Sequence, residues 1–177
     1  MSKLSQPLGP GDHIRGPADA SVTLVEYGDY ECPHCGHASP IVEEVLRRVG
    51  PSVRFAFRHF PLTEIHPHAL EAAEAAECAG AQRKFWPMHH QLFSHQEALE
   101  PEDLLGYAEA LELDAERFAR DLAAHTHLEK VKGDFRSGMR SGVNGTPTFF
   151  IDGVRFDAPW DLETLTTAVQ AALLGEK

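Results

Sequence analysis

Two cysteines separated by two residues, Cys32-Pro33-His34-Cys35, follow closely on the apolar, β-branched run Val22-Thr23-Leu24-Val25-Glu26-Tyr27. This junction constrains the chain more than any other feature. The run suits a central strand buried on both faces. Pro33 suits the first turn of a helix, where no amide donor is lost. A strand must therefore hand over to a helix at the thiols. A cysteine placed there feels the positive end of the helix, so its thiolate is stabilised and becomes a nucleophile. A partner one turn further on can then attack the mixed disulfide that forms. The same spacing also serves as half of a zinc site, which is the competing chemistry.

The segments on either side extend this opening. Ile41, Val42, Val45 and Leu46 recur at helical spacing until Gly50-Pro51 stops the helix. Val53 to His59 alternates like a strand, and a short strand is expected near His13 to Arg15. From Pro67 to His125 the character changes: β-branched residues nearly vanish, and Ala, Glu and Leu dominate. Helices are expected over Ala69 to Ala79, over Lys84 to His95, from Pro101, from Asp114 as a cap, and through Leu128, Val131, Phe135 and Met139. Strand character returns in Thr148-Phe149-Phe150-Ile151. Asp152-Gly153 is a hairpin signal into Val154-Arg155-Phe156, and Asp161 starts a last amphipathic helix.

Bulk properties narrow the function classes. The chain has 177 residues and a formal net charge of −11, which argues against nucleic acid or an anionic membrane as the main partner. No apolar run approaches the roughly 18 to 20 residues that span a bilayer. Residues 1–20 are polar, rich in Gly and Pro, and lack the apolar core of a signal peptide, so a cytoplasmic protein is expected unless a leader has been trimmed. Of three cysteines, Cys78 is left over in an Ala- and Glu-rich helix and is expected to be a small buried hydrophobe. In a reducing compartment a lone close pair is catalytic or metal-binding rather than a structural staple.

Cys32-Pro33-His34-Cys35 together with Gly145-Thr146-Pro147-Thr148 resembles the thioredoxin superfamily, and specifically its DsbA-like branch of thiol–disulfide oxidoreductases. Asp12 to Gly16, Glu26 to Cys35, Arg58-His59-Phe60-Pro61-Leu62 and Phe85-Trp86-Pro87-Met88-His89 look like the same branch. The resemblance covers most of residues 12 to 175. It implies an α/β thioredoxin fold, a mixed sheet flanked by helices, with an inserted helical domain. About 110 residues separate Cys35 from Pro147, a surplus that fits such an insert. The expected division is a discontinuous thioredoxin-fold domain of residues 12–65 and 127–177, a helical insertion of residues 66–126, and a flexible N-terminal arm of residues 1–11.

The resulting expectation is a dithiol–disulfide oxidoreductase that uses no prosthetic group and no metal. Cys32 is the nucleophile, with its sulfur partly exposed and its pKa drawn toward the range of about 3.5–7.5 typical of such sites. Cys35 is the deeper, resolving thiol. His34 can place positive charge near the Cys32 thiolate, favouring the reduced form and making the disulfide oxidising. Glu26, inside an apolar strand on the face of Val22 and Leu24, is expected to be poorly solvated with a raised pKa. The resemblance gives it proton exchange with Cys35. It also implies that the Thr146-Pro147 bond is cis, leaving the Thr146 backbone to pair with an extended substrate chain. Asp29 and Glu31 are read as charge on the rim, without a catalytic role.

The partners this implies are protein or small-molecule thiols and disulfides and a redox recycling partner, with no nucleic acid and no membrane. Two other readings stay open: a redox-slow binding module of the same fold, and a metal-binding protein using Cys32, Cys35 and some of the eleven histidines. No second CxxC and no HExxH accompanies those histidines. The direction of electron flow is also open. A histidine between the cysteines suggests an oxidant, whereas a cytoplasmic poise of about −220 to −320 mV would keep an oxidising pair reduced.

Overall fold

Alternation along two neighbouring strands creates the two cores of the molecule. The computed structural model describes residues 1–175. In chain order the elements are β1 (His13–Arg15), β2 (Val22–Gly28), α1 (Pro33–Val49), β3 (Val53–His59), α2 (Ala69–Gly80), α3 (Phe85–Ser94), α4 (Pro101–Ala110), α5 (Ala115–Ala123), α6 (Leu128–Arg140), β4 (Thr148–Ile151), β5 (Val154–Phe156) and α7 (Leu162–Leu173). The sheet order is β1-β3-β2-β4-β5, with β2 and β3 parallel and every other pair antiparallel. This is the thioredoxin fold, a mixed sheet flanked by helices.

Val22 and Leu24 of β2 and Val53, Phe55 and Phe57 of β3 point to one face, where they pack with buried residues of α1, α7 and the helices between β3 and α6. Val25 and Tyr27 of β2 and Ala56 of β3 point to the other face and join Phe60, Val143 and Phe150. β2 thus contributes apolar side chains to both faces, whereas β3 places Arg54 and Arg58 beside Ala56 on the second face. On the second face α6 lies close against the sheet. A Cβ on Gly138 would come within 2.7 Å of the Phe60 ring and 3.1 Å of Tyr27, so only glycine permits this approach.

The N-terminal arm, expected to be loose, is tied down. Leu4 N–H donates to Gly153 O, Arg155 N–H donates to Ser2 O, and Lys3 bridges Val154, so residues 2–4 cover the free edge of β5. Leu4 and Leu8 also pack on the second core. Further along, Arg58 donates to the carbonyls of Gln6 and Pro7, to Tyr27 Oη, and through Nε and Nη2 to both oxygens of Asp12. A buried guanidinium needs such partners, and the arm supplies them. That need, invisible in the polar composition of residues 1–11, is what orders the segment.

Candidate active site

The thiols sit where β2 hands over to α1. Cys32 is the N-cap of α1, in extended backbone geometry, and Pro33 occupies its first turn. The turn that delivers Cys32 is organised by Asp29, which is buried. Its Oδ1 accepts the amides of Glu31 (2.8 Å) and Cys32 (3.2 Å), and its Oδ2 accepts the Leu62 amide (2.9 Å) and pairs with His66 Nδ1 (2.8 Å). Glu31 in turn accepts the His68 amide and pairs with His68 Nδ1 (2.8 Å). These acids are therefore more than rim charge: they pin the thiol turn to the segment that follows β3. A short Asp in a turn suits this role, but its long-range partners carry no local sequence signal.

Cys32 is only 3% exposed, deeper than the partly exposed sulfur expected from its place at a helix start. The loop before β4 lies against it: the Cys32 thiol contacts the Thr146 carbonyl at 3.5 Å, and the Thr146–Pro147 bond is cis. Cys35 is fully buried, Pro33 and His34 are exposed, and both thiols are free. The two sulfurs differ in their chemistry. Hydrogen bonding from the Cys35 thiol, joined by the Thr146 hydroxyl and the amides of Cys35 and His34, overcomes burial and lowers the Cys32 pKa to about 5. Thr146 Oγ1 is buried and has no hydrogen-bond partner of its own. For Cys35, burial first, then its bond to Cys32 and the nearby Glu26, push the thiol well above its ordinary value.

Glu26 lies beneath the pair. It is 2% exposed, and its Oε1 has no hydrogen-bond partner. Burial, with smaller contributions from Glu43 and Cys32, raises its pKa to about 8. A carboxyl of that kind is protonated at neutral pH and can exchange its proton across the physiological range. The structure thus gathers Cys32, Cys35, Thr146, Pro147 and Glu26 at one end of the sheet, and leaves the His34 side chain at the surface.

The other candidate groups have different surroundings. Cys78 is buried in the main core, and burial pushes its thiol up to about 12. His89 hydrogen-bonds Tyr30 Oη at 2.9 Å, and burial holds its pKa well below the ordinary value. His125 pairs with Glu74, and His95 Nδ1 lies 2.9 Å from the Gln91 carbonyl. His59, Glu77 and Asp134 bring potential ligand atoms within 4.8 Å of one another. Glu77, however, is held by His13 (2.9 Å) and His59 (2.8 Å), and Asp134 by Lys130 (2.6 Å) and the His59 amide. The carboxylates of this cluster are thus engaged by partners within the chain.

Comparison with known proteins places the geometry. A family model described as Thioredoxin matches residues 9–171. Among solved structures, oxidised BdbD from Bacillus subtilis superposes with a TM-score of 0.88 at 25% identity, covering 98% of this chain and 99% of that one. A thioredoxin-like oxidoreductase from Silicibacter pomeroyi gives 0.83 at 27% identity, covering 94% of each chain. The Na(+)/H(+) antiporter NhaA 1 of Salinispora arenicola is 48% identical over 175 residues, 98% of this chain. The chain spans only 27% of that relative's length.

Proposed function

The chain belongs to the DsbA-like thiol–disulfide oxidoreductases of the thioredoxin superfamily, and we propose that it exchanges disulfides with protein or small thiol substrates through Cys32 and Cys35. The observation that carries this reading is the placement of the two sulfurs: Cys32 is the N-cap of α1, against the Thr146 carbonyl and the cis Thr146–Pro147 bond, and Cys35 is buried one turn further on. In the reducing direction the Cys32 thiolate attacks a substrate disulfide and one substrate sulfur leaves as thiolate. Cys35 then gives its proton to Glu26 in the minority of molecules where that carboxyl is ionised, and attacks Cys32 Sγ, which releases the second substrate thiolate and closes the Cys32–Cys35 disulfide. In the oxidising direction a substrate thiolate attacks Cys32 Sγ, and Cys35 leaves and takes its proton from Glu26. A second substrate thiolate then displaces Cys32.

The remaining site residues follow from this scheme. Pro33 starts the helix, and His34 adds positive charge near the thiolate when protonated. The backbone of Thr146, beside Pro147, receives the extended substrate chain. A stabilised thiolate is a good leaving group, which favours an oxidising pair. The working compartment is proposed to be the cytoplasm, and there the reducing or isomerising direction is favoured. A reduction potential measured against glutathione decides between them: a value below about −250 mV removes the oxidant reading. The antiport activity in the relative's name is not carried over, since the chain spans only 27% of that relative's length.

The test is chemical. Cys32→Ser should abolish insulin reduction and dithiol oxidation, whereas Cys35→Ser should accumulate mixed disulfides on Cys32. Unchanged turnover in Cys32→Ser overturns the proposal and leaves the fold as a binding module.

A further inference from the structure

Gln96 lies in the turn that follows α3, half-buried against the thiol turn. Its Nε2 donates to the carbonyl oxygens of Tyr30 and of Cys32, both at 2.8 Å. Both partners are acceptors only, so chemistry fixes which end of the amide faces them. The Cys32 carbonyl also accepts the Gly36 amide (3.1 Å), the first bond of α1, while the Cys32 amide is held by Asp29. Gln96 thus grips the N-cap on the side opposite Asp29. The seat for its amide is Gly36. A Cβ there would stand 2.0 Å from Gln96 Oε1 and 2.6 Å from its Cδ. Since the end of a flexible side chain can move aside, a methyl at Gly36 would dislodge the amide from its two carbonyls rather than break the helix.

Taking the redox role of Cys32 proposed above as its premise, we propose that Gln96 is a positioning residue of the thiol site. It fixes the N-cap conformation of Cys32, so that the amides of His34 and Cys35 stay aimed at the sulfur, and it thereby couples the segment between α3 and α4 to thiol reactivity. Those two amides are among the groups that hold the Cys32 thiol down. The titratable groups around the sulfur are Cys35 and His34 on α1, Glu26 on β2, and Asp29 paired with His66 in the preceding turn. Gln96 Nε2 bonds instead to the carbonyls of Tyr30 and Cys32, so a change at Gln96 leaves those groups in place.

The test titrates the Cys32 thiolate by its ultraviolet absorbance in the parent protein, Gln96→Ala, Gln96→Met, Gly36→Ala and the double variant Gln96→Ala/Gly36→Ala. Cys35 and Cys78 titrate far above Cys32, so the first transition belongs to Cys32. Gln96→Ala and Gln96→Met should both move its midpoint up by about one pH unit, because Met keeps the length but has no donor. Gly36→Ala should move it in the same direction, and the double variant should move it no further than either single change. Gly36→Ala also improves intrinsic helix propensity, so it stays measurable even if Gln96→Ala folds poorly. A low parent midpoint that Gln96→Ala and Gln96→Met leave unmoved overturns the role of Gln96 alone, as does full additivity of the two sites. A parent midpoint near the ordinary thiol value of 9.0 overturns the premise itself.

Discussion

Glu26 and Glu77 are both carboxylates at the sheet, 2% and 6% exposed, and they end in opposite states. Under the thiols, Glu26 has an oxygen with no partner, and burial raises its pKa to about 8. Where α2 meets the sheet, burial opposes ionisation of Glu77 as well, but hydrogen bonds from His13 and His59 outweigh it and hold the carboxyl well below the usual range. His13 further stacks on Phe85 with ring centroids 3.6 Å apart, so this seam ties β1 and β3 to α2 and α3. Burial alone therefore does not set charge. Partners do: the lone carboxyl keeps a mobile proton, and the paired one becomes an ionic rivet.

The largest expected effect comes from pulling the rivet. Glu77→Ala strands two histidines in an apolar seam and should lower unfolding stability by about 3–5 kcal/mol, read by urea denaturation. In the parent this contribution is present above the unfolded value of 4.5 and is lost as pH falls through the depressed folded value. The Cys32 titration should not move. A stability loss below about 1 kcal/mol would mean that the two regions are not energetically distinct.

Glu26→Gln should act with the opposite sign. A carboxyl whose folded pKa is raised destabilises the fold increasingly as pH climbs from 4.5 to about 8. The variant removes that penalty, so its advantage over the parent should grow to about 3 kcal/mol at pH 7 and vanish near pH 4. At the same time, release of mixed disulfides from Cys32 should slow by at least about tenfold, since no group remains to exchange a proton with Cys35. A stability advantage independent of pH would contradict a titrating Glu26.

The sequence makes one of these carboxylates much easier to find than the other. Glu26 interrupts the apolar run Val22 to Tyr27, and period-two alternation puts it on the face of Val22 and Leu24, so its burial follows from local pattern. The strand limits and helix starts were legible for the same reason: apolar period, Pro33 and Pro101 at first turns, and Asp114 and Asp161 as caps. Glu77 and Gln96 were not. Glu77 sits among helix-forming residues, and its partners His13 and His59 are 64 and 18 residues away in the chain. Gln96 acts on the carbonyls of Tyr30 and Cys32, which every sequence possesses. The docked arm escapes for a related reason, because its anchor is the charge of a distant Arg58 rather than any pattern of its own.

Asp29 sharpens the comparison from the thiol side. It is as buried as Glu26 but saturated with donors like Glu77, accepting three amides and pairing with His66. If partners decide the outcome, it should behave as a rivet although it lies three residues from Cys32. Asp29→Asn replaces one acceptor oxygen by an NH2 group that faces an amide donor. The expected cost is about 1–3 kcal/mol in urea unfolding, with faster amide hydrogen exchange at Glu31 and Leu62. Retention of parent exchange rates at those amides would show that the turn holds itself.

The smallest effect tests whether pairing without burial matters at all. His68 repeats the chemistry of the Glu77 seam in solvent: its ring nitrogens contact Glu31 at 2.8 Å and Glu100 at 2.9 Å, but its side chain is 34% exposed. The hydrogen bond that the ring donates to Glu31 leads the causes that raise its pKa above 6.5. A raised base stabilises the fold below its unfolded value, and that contribution is lost as pH climbs through the folded one. Solvent screening keeps the gain small, so His68→Asn should cost less than about 1 kcal/mol at pH 5.5 and almost nothing at pH 8.5. Added salt should shrink the acidic difference while leaving the Glu77→Ala loss nearly intact, because screening reaches an exposed pair far more readily than a buried one. Equal salt sensitivity in the two variants would show that the Glu77 seam is open to water, and the contrast between the two buried carboxylates would then need a cause other than partners.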